Sequence, residues 1–335
     1  MNIKRGKKVL KIFGRIFAVT AVLMLIGAIL HATYFKSKLG QIKPYGQLVD
    51  VGDGQMHVYS MGNGEKTIVL LPGLGIPLPS ADFAPLMRKL SKKYTVVCVE
   101  YFGVGFSSET SKPRTCENYV EETRTALRQA GYKTPYVLMP HSISSIYSEY
   151  YAAKYPEEVN AVISLDGTSS AYYKEMPAIF KSILQIAKFQ QAIGFTSILS
   201  PLAINKKDLI LKGFTQTEIN DVTVFSGFSI NNTFLEQIAN SSEFIKQTMD
   251  LPFPKSIPYF KIISKQTYEN PNKQLRQAKM TPQEYQHKHL ERIGGNAKYE
   301  ILDGTHFIYQ NNVDRIAEIT DDLLLTLINK NISIM

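Results

Sequence analysis

A serine at a predicted corner between a strand and a helix is the residue best placed to do chemistry in this sequence. Ser142 stands in Pro140-His141-Ser142-Ile143-Ser144, after the apolar run YVLMP and before a helix-like segment. There its side chain would project beside a helix amino terminus, whose dipole favours a developing negative charge. The turn needs small residues two positions either side; Ser144 meets this need, whereas Pro140 replaces the usual glycine. The pattern predicts a nucleophilic serine, and the alternative is an ordinary helix N-cap.

The elements around Ser142 alternate between apolar strands and helices. Continuous apolar runs are typical of strands covered on both faces, and Gly52-Asp53-Gly54 is a hairpin turn signal. Strands are predicted at 47–51, 55–61, 67–71, 95–99, 136–140, 161–165, 257–264 and 297–302. Helices are predicted at 80–92, from near residue 116, at 143–155 and at 313–329. This alternation predicts an α/β fold with a doubly wound, mostly parallel sheet.

The alternation stops between residues 167 and 256, where helical patterns dominate. Ile179, Ile183 and Ile186 fall on one helical face. We therefore expect a helical cap over 167–256, inserted into a core formed by 47–166 and 257–335. Several apolar residues of this cap either contact a hydrophobic substrate or pack into the cap's own core: Met176, Phe180, Phe189, Phe195 and Leu199.

The net charge of +9 is concentrated at the amino terminus. Residues 1–15 contain six Lys and Arg and no acid, and the remaining chain carries +3. No later stretch interleaves basic residues with aromatics in the way that a nucleic-acid groove requires. We expect no nucleic-acid partner, and a basic cytoplasmic segment over 1–15.

An uncharged apolar run follows this basic segment. Residues 16–35 would form a helix about 30 Å long, which matches the hydrocarbon core of a bilayer. The run has no good A-x-A-like cleavage site and is apolar around its whole circumference, which disfavours a cleaved signal peptide and a buried amphipathic helix. We predict an uncleaved signal anchor, then a linker at 36–46. The positive-inside rule places the remaining chain on the extracytoplasmic side of the cell membrane.

The other residues that could carry chemistry give weaker signals. Two cysteines, Cys98 and Cys116, cannot form a disulfide framework or a four-thiolate zinc site. His287 and His289 are two apart on a predicted helix and would face different sides, which disfavours a metal pair. Gly103-Val104-Gly105 lacks the third glycine of a dinucleotide fingerprint. The sequence predicts no cofactor and no metal.

Four motifs in order resemble those of the α/β-hydrolase fold over about residues 47–330. Besides the segment around Ser142, they are Leu71-Pro72-Gly73-Leu74-Gly75, the run 100–107 (EYFGVGFS) and Gly304-Thr305-His306-Phe307. The first matches the family's oxyanion loop, the second its acidic-x-x-Gly-x-Gly-x-Ser turn, and the third the place of its histidine. The resemblance implies this fold.

The resemblance also implies roles for individual residues. Ser142 would be the nucleophile and His306 the base, while the backbone N–H groups of Leu74 and Ile143 would stabilise an oxyanion. The acid is less clear, because the loop after the seventh strand reads Lys265-Gln266-Thr267-Tyr268-Glu269, without an Asp. Asp166, after the sixth strand, is favoured over Glu269.

These roles lead to a membrane-anchored serine hydrolase that cleaves a carboxylic ester, which could be lipid-derived because the protein would lie beside a bilayer. An amidase or peptidase with the same triad is an alternative, as is perhydrolase or carbon–carbon hydrolase chemistry. A serine at position 142 argues against the carboxylate-nucleophile chemistry of the family's epoxide hydrolases and haloalkane dehalogenases. A non-catalytic ligand-binding protein on this scaffold is the competing class, supported by Pro140 and by the missing acid.

Overall fold

Eight strands form one sheet in a computed structural model that describes residues 3–172, 179–295 and 297–332. The strands are β1 (Gln47–Asp50), β2 (Gln55–Met61), β3 (Thr67–Leu71), β4 (Thr95–Val99), β5 (Tyr136–Pro140), β6 (Val159–Leu165), β7 (Tyr259–Ser264) and β8 (Ala297–Leu302). Their order in the sheet is β1-β2-β4-β3-β5-β6-β7-β8. The pairs β1–β2 and β2–β4 are antiparallel and the others parallel. The predicted mostly parallel sheet is confirmed.

Helices cover both faces and one end of this sheet. The first group is α1 (Ile3–Leu30), α2 (Lys36–Gln41), α3 (Pro79–Asp82), α4 (Ala84–Leu90), α5 (Cys116–Gln129) and α6 (Ser144–Lys154). The second group is α7 (Ile179–Ala192), α8 (Phe195–Ala203), α9 (Lys206–Leu211), α10 (Gln216–Ser226) and α11 (Asn232–Met249). The third group is α12 (Lys265–Glu269), α13 (Lys273–Gln277), α14 (Pro282–Ile293), α15 (Ile308–Asn311) and α16 (Val313–Ile332).

The central strands are apolar throughout because helices lie on both sides of them. In β3, Val69 and Leu71 enter the core on one face of the sheet, while Ile68 and Leu70 enter the core on the other. Successive side chains of a strand point to opposite faces, so a run of apolar residues fills two cores at once.

The second group of helices, α7 to α11, lies in the chain segment that joins β6 to β7. This is the region where the sequence predicts a helical cap. Met176 and the side chain of Phe180 lie outside the described residues.

The amino-terminal helix runs further than the sequence predicts. Its π-helical segment His31–Phe35 leads directly into α2, so the first six residues of the expected linker are helical. The apolar residues Leu39, Ile42 and Tyr45 explain this, because they pack against a cluster that contains Leu78 and Phe225. The segment 36–46 is therefore part of the folded domain rather than a free linker.

Candidate active site

Ser142 occupies a strained turn between β5 and α6. Its φ angle is +54°, a left-handed conformation that residues other than glycine rarely adopt. Its N–H donates to the carbonyl of Leu165 at the end of β6, and its own carbonyl accepts from Thr168. The turn forms although Pro140 ends β5 in place of glycine.

The loop after β3 lies directly against this turn. A Cβ at Gly73 would stand 2.5 Å from Nδ1 of His141 and 2.9 Å from Cβ of Ser142, so only glycine fits there. Ser144 holds the loop from the other side, because its hydroxyl donates to the carbonyl of Pro72 at 2.5 Å and lies 2.9 Å from Tyr101 Oη. The small residue required at position 144 is therefore also a tether for the loop.

His306 bridges Ser142 and Asp166. Its Nε2 lies 2.9 Å from Ser142 Oγ, and its Nδ1 lies 2.6 Å from Asp166 Oδ2. The carboxylate fixes the proton on Nδ1, so the lone pair of Nε2 faces the serine hydroxyl. The structure thus brings together the three residues that the sequence singled out.

Asp166 is buried, yet it is held in its ionised form. Its Oδ1 accepts from the N–H of Ser264, and its Oδ2 accepts from the hydroxyls of Ser264 and Thr267 as well as from His306. Burial opposes ionisation, but these hydrogen bonds outweigh it and hold the pKa of Asp166 below its ordinary value. A carboxylate in this state can orient a histidine and stabilise its positive charge.

Glu269, the alternative acid, lies elsewhere. It is exposed at the end of α12, and among the described contacts no hydrogen bond joins it to His306. The loop after β7 contributes hydroxyls instead of an acid, because Ser264 and Thr267 both bind Asp166. Sequence reasoning missed these two partners; the signal available was a pair of hydroxyl residues at the end of an apolar strand.

The two predicted oxyanion donors flank the same turn. Ile143 immediately follows Ser142 and precedes α6, and Leu74 follows Gly73 in the loop packed on the turn. Within the described residues, neither backbone N–H donates to a protein acceptor. Both groups remain candidates for binding an anion beside Ser142.

His141 contacts the backbone of His306. Burial and the neighbouring His306 lower the pKa of His141 to about 3, so this ring stays neutral. Its Nε2–H donates to the carbonyl oxygen of His306 at 3.0 Å, which leaves Nδ1 facing Gly73. His141 therefore positions the backbone of His306.

Glu100 and His57 form a separate structural pair. Glu100 accepts from the N–H groups of Ser80 and Phe106, and a Cβ at Gly105 would collide with its carboxylate. His57 Nε2 accepts from Gly46 N–H, and its Nδ1 lies 3.1 Å from Glu100. Glu100 thus stabilises the turn at 100–107, and His57 joins it to the start of β1.

A buried charge cluster behind the site was not predicted. Glu149 lies 2.8 Å from His289 and 3.0 Å from Arg292, and His289 also lies 2.5 Å from Lys261. These four residues come from α6, α14 and β7, and sequence spacing gives no sign that they meet. His287 instead lies beside Tyr299, so the two histidines of α14 do face different sides.

Comparisons with known proteins bear on the fold of this chain. Residues 66–189 match the family described as alpha/beta hydrolase fold. The chain is 29% identical over 325 residues to the uncharacterized protein YbdG of Bacillus subtilis, covering 95% of this chain and 97% of that one. It is 31% identical over 120 residues to a 2-(acetamidomethylene)succinate hydrolase of Mesorhizobium japonicum, covering 36% of this chain and 42% of the relative.

A solved structure gives the same result for the fold. The Cif epoxide hydrolase from Acinetobacter nosocomialis superimposes with a TM-score of 0.64 at 14% identity, covering 90% of this chain and 96% of that one. This protein has the alpha/beta-hydrolase fold, with an eight-stranded, mostly parallel sheet. It also has one helical segment in its described residues, Leu10–Gln41, that is long and apolar enough to cross a membrane.

Proposed function

We propose that this protein is a serine hydrolase that cleaves a carboxylic ester through a Ser142–His306–Asp166 triad. One observation carries the proposal: the unbroken pair of hydrogen bonds from Ser142 through His306 to an ionised, buried Asp166. An ordinary N-cap serine would need neither a histidine partner nor a strained backbone.

The geometry leads to a two-step mechanism. The Ser142 hydroxyl attacks the ester carbonyl while His306 Nε2 takes its proton, and Asp166 stabilises the imidazolium that results. The N–H groups of Leu74 and Ile143 would stabilise the oxyanion of the tetrahedral intermediate. His306 then protonates the leaving alcohol, and a water activated by the same histidine releases the acid from the acyl-enzyme.

A cavity beside the oxyanion loop would hold part of the substrate. Its volume is about 270 Å³, and its wall combines the loop residues Gly75 and Ile76 with the cap residues Phe228 and Phe234. Leu39 from the amino-terminal segment completes the wall. The wall also contains polar residues, among them Ser107, Glu109 and Asn231. Its apolar part suits an acyl or alkyl group, and a lipid-derived ester is the substrate class that we favour.

Amide hydrolysis is the second candidate. Its support is the relative named for hydrolysis of 2-(acetamidomethylene)succinate, which matches over part of its length. Parallel assays of an ester and of the amide of the same acyl group, both with wild-type protein, would show which of the two activities is faster.

Membrane anchoring is part of the same proposal. The helical segment Leu10–Gln41 supports it by length and composition, and the basic residues at its start support a cytoplasmic amino terminus. Retention of the full chain in the membrane pellet after carbonate extraction tests the anchor. Protease digestion of intact cells tests on which side the domain lies.

Labelling with a fluorophosphonate probe tests the nucleophile. We expect the full-length chain in detergent to react, Ser142→Ala to lose the reaction, and the matched control Ser241→Ala to keep it. A folded wild-type chain that does not react would instead favour a non-catalytic ligand-binding protein on the same scaffold.

A further inference from the structure

Two helices of the cap carry apolar stripes that face away from the protein. The residues of these stripes are between 39% and 81% exposed. In α7 they are Ile179, Ile183, Ile186 and Phe189, and in α8 they are Phe195, Ile198, Leu199 and Leu202. Each set follows helical spacing, so each forms one continuous face.

This arrangement is the reverse of that in a soluble cap. An amphipathic helix in water turns its apolar stripe towards the core, and large exposed apolar patches mark interaction sites. Phe189, Phe195 and Leu199 were expected to contact substrate or to form the cap's own core. Their exposure, at 54%, 48% and 39%, does not fit a place in the cap's own core.

The corner between α7 and α8 packs directly on the proposed anchor helix. A Cβ at Gly27 would stand 2.3 Å from the carbonyl oxygen of Ile193, and a Cβ at Gly194 would stand 2.3 Å from that of Gly27. His31 continues the contact, since its Nδ1 lies 2.9 Å from Ser197 Oγ and its ring stacks on Phe228. Close approach of backbones at small residues is typical of helices that pack within membranes.

The position of this contact along the anchor helix determines how deep the corner between α7 and α8 would lie in the bilayer. Gly27 lies eight residues before Phe35, the end of the predicted membrane span, which corresponds to about 12 Å along the helix. Amphipathic helices that bind membranes bury their apolar faces about 5–10 Å into the boundary between headgroups and acyl chains. The corner at Gly194 therefore lies on the acyl-chain side of this boundary, slightly deeper than the range that such helices usually reach.

The charge of the segment is consistent with a lipid surface. From Ile179 to Lys207 the sequence contains no Asp or Glu, and its charged residues are all lysines. Lysines beside an apolar face are attracted to anionic headgroups.

We propose that the exposed faces of α7 and α8 bind the lipid bilayer, inserting into the extracytoplasmic leaflet beside the anchor helix. The proposal rests on the membrane anchoring proposed above and adds a second contact, made by the cap. The cap would then stand over the active site with its outer surface in lipid, where an apolar ester is concentrated.

Fluorescence quenching in nanodiscs tests this contact with the full chain. Cys98 and Cys116 are buried, and burial raises the pKa of the Cys116 thiol to about 12, so a single introduced cysteine can be labelled with the dye NBD. Ile186→Cys and Leu202→Cys probe the cap, Val22→Cys is the anchor reference, and Leu325→Cys on α16 is the exposed control. Discs of phosphatidylcholine and phosphatidylglycerol are prepared with one chain or with two chains per disc. Each kind is measured with and without a lipid that carries a nitroxide near the carbonyl end of its acyl chain.

We expect a blue-shifted emission that the nitroxide lipid quenches at positions 186, 202 and 22, and no quenching at 325. Quenching at 22 alone would overturn the cap contact while leaving the anchor intact. Loss of quenching at all positions would overturn the anchor as well. A blue shift at 186 without quenching, seen only with two chains per disc, would assign this face to a second copy of the chain. Fluorophosphonate labelling of each variant, measured separately, reports whether the active site is still formed.

Discussion

The sheet and the cap use the same kinds of apolar residue in opposite ways. In the sheet, Ile163 of β6 is fully buried between helices, whereas in the cap Ile186 of α7 is 57% exposed. At the carboxyl ends of its strands the sheet positions Ser142, His306 and Asp166 within hydrogen-bond distance of one another, whereas the cap carries apolar side chains that the described residues do not cover. The difference lies in what covers these side chains: the core is covered by helices of the same chain, whereas the exposed faces of α7 and α8 would be covered by the lipid proposed above.

The largest effect is expected from removing the nucleophile. Ser142→Ala should lower the rate of ester hydrolysis on the order of 10⁴- to 10⁶-fold, because no other group at the turn can form the acyl-enzyme. Stability should not fall, since alanine removes only the hydroxyl from a strained position. Turnover of a p-nitrophenyl ester, with circular dichroism as the folding control, measures both; an active variant would remove Ser142 from the mechanism.

Replacing the acid should have the next largest effect. Asp166→Asn should lower the rate by about 10⁴-fold, because the amide no longer fixes the proton on Nδ1 of His306. Glu269→Gln is the matched control and should leave the rate unchanged. The same assay decides between the two acids, and a large loss in Glu269→Gln alone would contradict the geometry.

A pair of identical substitutions tests the contrast between core and cap. Ile163→Ala should lower the free energy of unfolding by about 2–5 kcal/mol, since it leaves a cavity between β6 and its neighbours. Ile186→Ala should change it by less than about 0.5 kcal/mol, because the side chain is exposed. Urea unfolding of the detergent-solubilised chain measures both, and equal losses would mean that the cap face is packed in solution.

The smallest of these effects concerns the packing beneath Ser142. A Cβ at Gly167 would stand 2.0 Å from Ser145 Oγ and 2.1 Å from Ser164 Oγ, so Gly167→Ala should cost about 1–3 kcal/mol. Gly295→Ala is the control, because a Cβ there meets nothing within 4 Å. Thermal melting compares the two, and an unchanged midpoint in Gly167→Ala would show that these serines can move apart.

Much of the sheet could be predicted because its physics is local. Buried parallel strands must be apolar on both faces. The segments TIVLL, TVVCV and AVISL can therefore be recognised as strands without knowing which segments lie next to them. The turn around Ser142 is also local, since a strand, a small-residue turn and a helix follow one another directly.

The parts that sequence reasoning missed depend on distant segments. Ser264 and Thr267 bind Asp166 only because β6 and β7 are neighbours in the sheet. Glu149 and His289 are 140 residues apart and meet across two helices. The segment 36–46 has the composition of a linker, and only the apolar surface formed by Leu78 and Phe225 explains why it is folded. The spacing of residues along the chain carries no information about such long-range contacts.

The cap's place in the chain has an evolutionary consequence. It is the crossover between β6 and β7, two parallel strands that pair directly, and any such connection needs a dozen residues or more. The entropic contribution to the free energy of closing a connection rises slowly with its length, by about 0.6 kcal/mol for each doubling. Insertions and sequence drift in this crossover would thus leave Ser142, Asp166 and His306 in register, so that descendants of this chain could acquire new surroundings and new substrates while keeping one inherited reaction.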